Sequence, residues 1–278
     1  MRLLGLTCLA MLAFAANSVL NRMAVGAGRI DPVVFAVVRL ATGAVVLAAL
    51  LILRRGVVWP GWHGRLPGVA GLLVYLFGFS AAYLALDAGT GALILFGVVQ
   101  VTMFAGAYLT GETVPARRMA GAVLALSGLA LLLSPKGGAI WPDLAMGLAG
   151  VGWGVYSLAG RGQRDALAAT AWNFILALPV GLGVLAVMPG QGSWPGVILA
   201  MLSGAVASGL GYALWYTVVP QLGAGRAAVA QLTVPLIAAL AGAALLAEVP
   251  GPRFWLAAVL VLGGVAVASV SIRRGPAG

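Results

Sequence analysis

Acidic, histidine and cysteine side chains are scarce in this sequence. Of 278 residues, six are Asp or Glu, one is His and one is Cys, and charged residues of both signs make up 8% of the chain. A soluble domain carries roughly 25% charged residues, so this composition excludes a protein surface that is mainly in contact with water. Hydrophobic residues form 62% of the chain. We therefore expect the lipid bilayer to be the main partner of this protein.

The same scarcity argues against an enzyme. An intramembrane enzyme needs a nucleophile beside a base, or a set of metal ligands, but His63 falls in a predicted loop and Cys8 stands alone in an apolar run. We interpret Cys8 as a small packing residue. We expect no enzymatic activity, no metal and no cofactor, and keep an intramembrane enzyme or a channel as remote alternatives.

Basic residues outnumber acidic ones by 16 to 6, which gives a formal net charge of +10. They are scattered through the predicted loops and form no basic face, so nucleic-acid binding is not expected. Loops that obey the positive-inside rule explain the excess better. Most basic residues fall on the side of the N-terminus. We therefore expect both termini to be cytoplasmic in a bacterial inner (plasma) membrane.

Ten apolar runs, each roughly 20 residues long, have the length of transmembrane helices. The first resembles a signal peptide, but so many apolar runs follow that we interpret it as a retained span. The pattern predicts an all-α integral membrane bundle with spans at 3–21, 32–53, 67–86, 90–110, 116–134, 140–160, 167–188, 195–218, 224–246 and 253–272.

An internal repeat divides the chain. Residues 88–131 align without a gap with residues 224–267, so that Glu112 recurs as Glu248 and, in the same loop, an arginine also recurs. Such a repeat has to be recognised before the fold is assigned. It predicts two related halves of five spans each.

The halves are 1–135 and 140–278. Because five is an odd number, the second half must enter the membrane from the opposite side. Inverted repeats of this kind, in many secondary transporters, place a substrate site near the bilayer midplane at the repeat interface. Close-packing residues such as Gly150 and Gly154 are interpreted as contacts within the bundle, and we expect a functional monomer.

Polar amides inside spans are candidates for substrate contact because they are expensive to place in lipid. Asn17, Gln100 and Gln231 are such residues, and Gln100 lies closest to a span centre. An amide can donate to and accept from a small-molecule substrate. Each could instead join two helices through a hydrogen bond.

Aromatic residues share faces of three predicted helices. Tyr75 and Phe79 are four residues apart, Trp153 and Tyr156 three apart, and Tyr212 lies in the eighth span. These spacings place each pair on one helix face. Stacking or cation–π contact would suit a binding pocket, whereas anchoring at the membrane interface is the alternative.

Charged residues at or within spans have several interpretations. Arg39 lies well inside the second span, where it could meet an anionic group, bond a backbone carbonyl or reach outward. Glu112 and Glu248 lie at span ends, and we interpret them as loop charges or partners of Arg117 or Arg253. No carboxylate lies in mid-span, which favours exchange or facilitated transport over a buried proton relay.

These motifs resemble the drug/metabolite transporter superfamily with two EamA-type halves. The resemblance rests on the loops Gly111-Glu112…Arg117 and Ala247-Glu248…Arg253, on Arg39 in the second span, and on the run from Gln231 to Pro235 in the ninth. Val99 stands at the position equivalent to Pro235. The resemblance implies a gating or packing role for Arg39.

Characterised relatives, such as YddG-like aromatic amino acid exporters, move amino acids and other small metabolites outward. The resemblance therefore implies a secondary transporter that exports small organic metabolites, amino acids among them, by alternating access. A proton-coupled drug/metabolite antiporter is the alternative. An aromatic-rich pocket with little charge favours neutral or zwitterionic molecules, and aromatic or hydrophobic amino acids are candidates among them.

Overall fold

The computed structural model describes residues 1–54, 58–109, 116–133, 140–161 and 163–269. Nearly all of them are helical, and the β-pairing seen among them is a single bridge between Ile30 and Gly192. The prediction of an all-α bundle is confirmed. In chain order the α-helices are α1 Arg2–Asn21, α2 Pro32–Leu53, α3 Arg65–Ala82, α4 Ala88–Leu109, α5 Ala116–Leu133, α6 Trp141–Gly160, α7 Ala166–Val187, α8 Trp194–Leu202, α9 Gly211–Gln231, α10 Thr233–Leu246 and α11 Pro252–Ser269, with π-helical segments at Arg22–Gly26 and Ser203–Leu210.

The apolar runs coincide with these helices. Two shorter apolar helices, Met119–Leu132 and Pro252–Ala268, lie in the fifth and tenth predicted spans, and α6 covers the sixth. Seven helical stretches are long and apolar enough to cross a bilayer: Arg2–Gly26, Pro32–Leu53, Arg65–Ala82, Ala88–Gly106, Ala166–Val187, Trp194–Leu222 and Val229–Leu246.

The boundary between the eighth and ninth spans differs from the prediction. No helix end marks residues 218–224, because α9 continues to Gln231 and the helix is interrupted at Leu232 instead. Pro235 explains this position, since it has no N–H to donate to the carbonyl four residues earlier. At the interruption, the N–H of Leu232 bonds to the carbonyl of Val229, three residues earlier, and not four residues earlier as in a regular α-helix. In the first half, Val99 stands at the equivalent position and α4 is uninterrupted.

Helix packing is symmetric under exchange of the two halves. Helix α3 packs on α6 as α9 packs on α1, and α4 packs on α6 as α10 packs on α1. The pairs α2–α7 and α5–α11 map onto themselves. Because each half has five spans, this pseudo-two-fold relates halves of opposite direction. The described residues thus form two inverted repeats.

The α5–α11 contact shows the symmetry at single residues. A Cβ placed on Gly264 would lie 2.5 Å from the carbonyl oxygen of Gly121, and one placed on Gly128 would lie 2.9 Å from that of Ala257. Gly128 and Gly264 are equivalent in the repeat, as are Gly121 and Ala257. Small residues let helices approach closely within a membrane. The repeat therefore keeps small residues at the two closest points of the α5–α11 contact, one on each side of the pseudo-two-fold axis.

One large hydrophobic core joins the two halves and holds most of the buried aromatic side chains. Cys8 is not part of it. Its side chain is exposed on α1, so the interpretation of Cys8 as a packing residue within the bundle is wrong, because residue 8 lies on the outer face of its helix.

Candidate functional site

A cavity lies between the two halves, among α1, α3, α4, α6 and α9. The free space in it is about that of one water molecule. All nine lining side chains are buried. The cavity is therefore closed in this conformation. It is lined by Phe14, Asn17, Ser18, Tyr75, Phe79, Leu95, Phe96, Trp153 and Tyr212.

Aromatic rings make up most of the cavity wall. Trp153 is the central ring: its centroid lies 4.8 Å from that of Tyr75 and 5.1 Å from that of Tyr212, with both rings tilted. Phe14 meets Tyr212 edge-on at 5.8 Å, and Phe79 lies 5.2 Å from Tyr75. Such offset and edge contacts are the arrangements that ring quadrupoles favour. A flat apolar group packs well against such rings, and the cavity must widen to admit one.

A buried arginine stands behind this wall. Arg39 has no exposed surface, and its guanidinium donates to the Tyr75 hydroxyl at 2.7 Å and to Ser208 Oγ at 3.0 Å. Its Cζ atom lies 5.0 Å from the centre of the Tyr75 ring and 5.1 Å from that of Phe79. Both rings line the cavity. The positive charge is thus one side chain away from the cavity.

The π-helical segment Ser203–Leu210 supplies the hydroxyls on this side. Ser203 Oγ donates to Asn17 Oδ1 at 2.7 Å, and Ser208 Oγ, which accepts from Arg39, lies 3.4 Å from the same oxygen. The wider π-helical turn changes which side chains share a face, and such segments are frequent at functional sites. Arg39, Ser208, Asn17 and Ser203 form one buried hydrogen-bonded chain.

One end of the bundle carries an ion pair that joins the halves; we call it the Arg22 end. Arg22 Nε lies 2.5 Å from Glu248 Oε1, and the other carboxylate oxygen accepts the N–H of Ala88 at 2.8 Å. Arg22 also donates to the backbone oxygen of Tyr83 at 3.2 Å. The Tyr83 ring packs edge-on against Phe79 at 4.8 Å. Because Phe79 lines the cavity, the ion pair is connected to the cavity wall through Tyr83.

The opposite end, which we call the Arg54 end, has a more exposed ion pair. Arg54 pairs with Asp165, and the side chains keep 45% and 32% of their surface exposed. Asp165 also caps α7, because its Oδ1 accepts the N–H of Ala168 at 3.0 Å. Partial burial raises the pKa of the Asp165 carboxyl, but the hydrogen bonds from Arg54 and from the Ala168 and Leu167 N–H groups outweigh it and hold the pKa below its usual range.

A second buried arginine lies at the Arg54 end. The Arg65 guanidinium donates to the carbonyl oxygen of Ala169 at 2.5 Å and to Asn173 Oδ1 at 2.8 Å. It thus joins α3 to α7 through neutral acceptors. At this end, among the described residues, a buried cation is held without an acidic partner.

Comparison with known proteins identifies the family. The model of the EamA-like transporter family matches the chain twice in succession, over residues 1–134 and 140–270. The chain belongs to the EamA-like transporter family. The resemblance to EamA-type members of the drug/metabolite transporter superfamily is thereby confirmed, and the chain is a multi-pass membrane protein of a transporter family.

Individual relatives place this EamA-like chain more closely. It is 49% identical over 273 residues to an uncharacterized protein of Pseudomonas aeruginosa, covering 96% of this chain and 94% of that protein. It is 29% identical over 234 residues to the Aromatic amino acid exporter YddG of Ancylobacter novellus, covering 78% of each chain. A protein known from a crystal structure shares the fold, with a TM-score of 0.66 and 20% identity over 96% of this chain and 99% of that one.

Five of the residues predicted to bind substrate are brought together by the fold. Asn17, Tyr75, Phe79, Trp153 and Tyr212 all line the cavity. Tyr156 lies behind Trp153, stacked on it at 5.1 Å, and its hydroxyl donates to Thr170 Oγ1. Gln100 is buried in α4 and Gln231 is half-buried at the end of α9, and neither lines the cavity.

The predicted partner of Glu248 needs a correction. Glu248 pairs with Arg22 rather than with Arg117 or Arg253, because the Arg22 side chain reaches its carboxylate across the two halves. The Nε of Arg253 donates to the carbonyl oxygen of Leu131. Glu112 lies outside the described residues.

Four lining residues were missed by the sequence reasoning: Phe14, Ser18, Leu95 and Phe96. Phe14 had a signal, since it lies one turn before Asn17 on the same helix face. Leu95 and Phe96 are indistinguishable in sequence from lipid-facing residues. Among the described residues, no group of three or more His, Cys, Asp or Glu side chains could hold a metal ion.

Proposed function

We propose that the protein is a secondary transporter that exports aromatic or hydrophobic amino acids by alternating access. The observation that supports this most is the buried aromatic cavity with Asn17 in its wall, to which both inverted halves contribute. Apolar pockets with a few placed polar groups are typical of small-molecule sites. The likeness to an aromatic amino acid exporter agrees with this substrate class.

The inverted halves provide a route to alternating access. Two related packings of the halves would expose the central cavity first at one end of the bundle and then at the other. In the closed conformation, the Arg22–Glu248 pair holds the halves together at one end and the Arg54–Asp165 pair at the other. Rocking would break one of these contacts at a time.

The proposed setting is the bacterial inner membrane, with both termini cytoplasmic and the protein acting as a monomer. The excess of basic residues on the side of the N-terminus supports this orientation. It places the Arg22 end outside and the Arg54 end in the cytoplasm. Substrate would then enter past the Arg54 end and leave past the Arg22 end.

Counterflow in proteoliposomes tests the function. Liposomes loaded with unlabelled phenylalanine should accumulate labelled phenylalanine, and uptake should saturate. Trp153→Ala should abolish this flux, because it removes the central ring of the cavity, while Trp194→Ala, at a tryptophan that is 71% exposed, should not. Flux that rises linearly with concentration would indicate a channel. Absence of flux for every amino acid tested would contradict the proposal.

The coupling mode follows from the charges of the cavity. Among its described lining residues none is acidic, so exchange or facilitated transport is proposed rather than proton antiport. Counterflow should therefore persist when an ionophore collapses the proton gradient. Its complete loss would favour the alternative, a proton-coupled antiporter that uses a carboxylate at a bundle end, such as Glu248.

A further inference from the structure

The buried arginine behind the cavity has no negatively charged partner among the described residues. Two nitrogens of Arg39 are hydrogen-bonded, but its third nitrogen, an Nη atom, is buried with no hydrogen-bond partner. The ion pairs formed among the described residues do not include it. A buried cation without a counter-charge is costly in a membrane protein, and one beside a cavity marks a candidate site for an anionic group.

Two tyrosine hydroxyls connect this charge to the cavity. The Tyr75 hydroxyl accepts from Arg39, so its own proton remains available to donate. The Tyr212 hydroxyl lies near both the guanidinium and the Tyr75 hydroxyl, and it is buried without a well-formed hydrogen bond. Both residues line the cavity. The wall therefore contains two tyrosines whose hydroxyl groups lie close to a buried positive charge that polarises them.

The described lining of the cavity offers no carboxylate to a positive group. The oxygen of Asn17 already has two serine hydroxyls near it, from Ser203 and Ser208. The described lining residues otherwise offer rings, a leucine and the Ser18 hydroxyl, and none of them is acidic. A substrate ammonium group would meet ring faces suited to cation–π contact, but no carboxylate, and the Arg39 charge behind the wall would oppose it. A carboxylate has a buried counter-charge nearby, so the cavity favours acceptors with negative charge.

We propose that this cavity recognises its substrate by the carboxylate and does not require the amino group. This inference rests on the transport function proposed above. It widens the substrate class to aromatic monocarboxylic acids with or without an α-ammonium group. The carboxylate would accept hydrogen bonds from Tyr212 and Tyr75, with Arg39 as the buried counter-charge. The aromatic ring would pack against Trp153 and Phe14.

Three ligands of one shape test the proposal directly. Labelled phenylalanine, 3-phenylpropionate, which lacks the ammonium group, and phenethylamine, which lacks the carboxylate, are each measured for binding to the purified full-length protein. We expect phenylpropionate to bind within about threefold of phenylalanine, and phenethylamine to bind at least about thirtyfold more weakly, because only the amine leaves the buried donors unpaired. Equal binding of the amine and the acid would overturn the proposal.

The same ligands separate this proposal from the transport function on which it rests. If phenylalanine binds and phenylpropionate does not, the amino group is required and the proposal fails, while amino acid export stands. If phenylpropionate binds and phenylalanine does not, carboxylate recognition stands and amino acid export fails. If none of the three binds, both fail.

A conservative variant adds an independent test. Tyr212→Phe removes a hydroxyl that makes no well-formed hydrogen bond and keeps the ring that packs on Phe14 and Trp153, so the fold should be unaffected. Binding of both acids should weaken by about tenfold or more, the usual effect of losing a hydrogen bond to a charged group. Tyr108→Phe makes the same change at an exposed ring of α4 and should leave binding unchanged. Unchanged acid binding in Tyr212→Phe would overturn the assigned role.

Discussion

The two ends of the bundle are held by ion pairs of the same type but in different surroundings. At the Arg22 end the arginine and Glu248 side chains are 20% and 12% exposed, and both carboxylate oxygens are engaged. At the Arg54 end the corresponding figures are 45% and 32%. Exposed pairs contribute little because water screens them, whereas shielded pairs with additional hydrogen bonds are strong determinants of geometry. The Arg22 end is thus the more firmly closed by charge.

The Arg54 end compensates with neutral contacts. Its buried cation, Arg65, is held by a backbone carbonyl and by the amide oxygen of Asn173. These contacts lie between α3 and α7, one from each half. In a transporter that must open each end in turn, the two ends are therefore expected to respond differently to the removal of charge.

The largest effect is expected at the Arg22 end. Glu248→Ala removes the acceptor of the Ala88 N–H and the shortest contact of Arg22, which keeps the Tyr83 carbonyl and Asp87 at 3.9 Å. It should destabilise closure of this end by about 2–4 kcal/mol. Opening is measured in a Cys8→Ser background with Ser18→Cys in the cavity, by the labelling rate with a membrane-impermeant maleimide. We expect this rate to rise at least about tenfold.

Two variants check that result. Arg29→Ala removes an exposed arginine near the same end and should leave the labelling rate unchanged. The reversed pair, Arg22→Glu with Glu248→Arg, should recover part of the closure. An unchanged labelling rate in Glu248→Ala would show that the ion pair does not hold the Arg22 end closed.

A smaller effect is expected from the neutral contact at the Arg54 end. Asn173→Ala removes one acceptor from the buried Arg65 guanidinium, which should lower stability by about 1–3 kcal/mol. Thermal unfolding of the purified protein measures this loss. Asn173→Asp keeps an acceptor at the same position and should lose less. Equal losses in the two variants would indicate that packing, rather than the hydrogen bond, accounts for the effect.

The sequence predicted the architecture better than the chemistry of these ends. Apolar runs and the Glu112/Glu248 repeat are local and periodic features of the sequence. They were sufficient to predict the helices and the inverted halves. The pairing of Arg22 with Glu248 was missed because it joins residues 226 apart whose proximity depends on helix packing. The repeat itself pointed to the wrong partner, Arg253, because that arginine is close in sequence.

The candidate site was predictable in part, for a similar reason. Aromatic spacing in α3 and α6 identified Tyr75, Phe79 and Trp153, since a helix face can be read from a period of three to four residues. Gln100 was selected by depth along its span alone. Depth does not fix the direction in which a side chain points around the helix axis, and Gln100 does not line the cavity. The π-helical segment at Ser203–Leu210 has no sequence signal of its own.

At the exposed pair, the helix cap should matter more than the salt bridge. Asp165→Ala removes the cap of α7 and should lower stability by about 1 kcal/mol, whereas Arg54→Ala should lower it by less than about 0.5 kcal/mol. Asp165→Asn keeps a capping oxygen and should resemble Arg54→Ala. The three variants are compared by thermal unfolding. A loss in Arg54→Ala as large as that in Asp165→Ala would show that the salt bridge contributes as much stability as the cap, and would contradict the small contribution expected of this exposed pair.

The smallest effect is a pH dependence at the same carboxylate. The folded pKa of Asp165 is held below its usual range by Arg54 and the N–H groups at the start of α7, and the unfolded value is about 3.9. A lowered pKa adds stability that is fully present above the unfolded value and is lost as the pH falls through the folded value. The stability difference between the native protein and Asp165→Asn should therefore be constant from pH 7 to about pH 5 and shrink below about pH 4. In an Arg54→Ala background the decrease should be smaller, because Arg54, which contributes to the lowered pKa of Asp165, has been removed. If the stability of the native protein and of the variants falls with pH by the same amount, Asp165 does not contribute the pH-dependent stability. Of the two ion pairs compared above, the Arg22–Glu248 pair would then be the one that closes its end by charge.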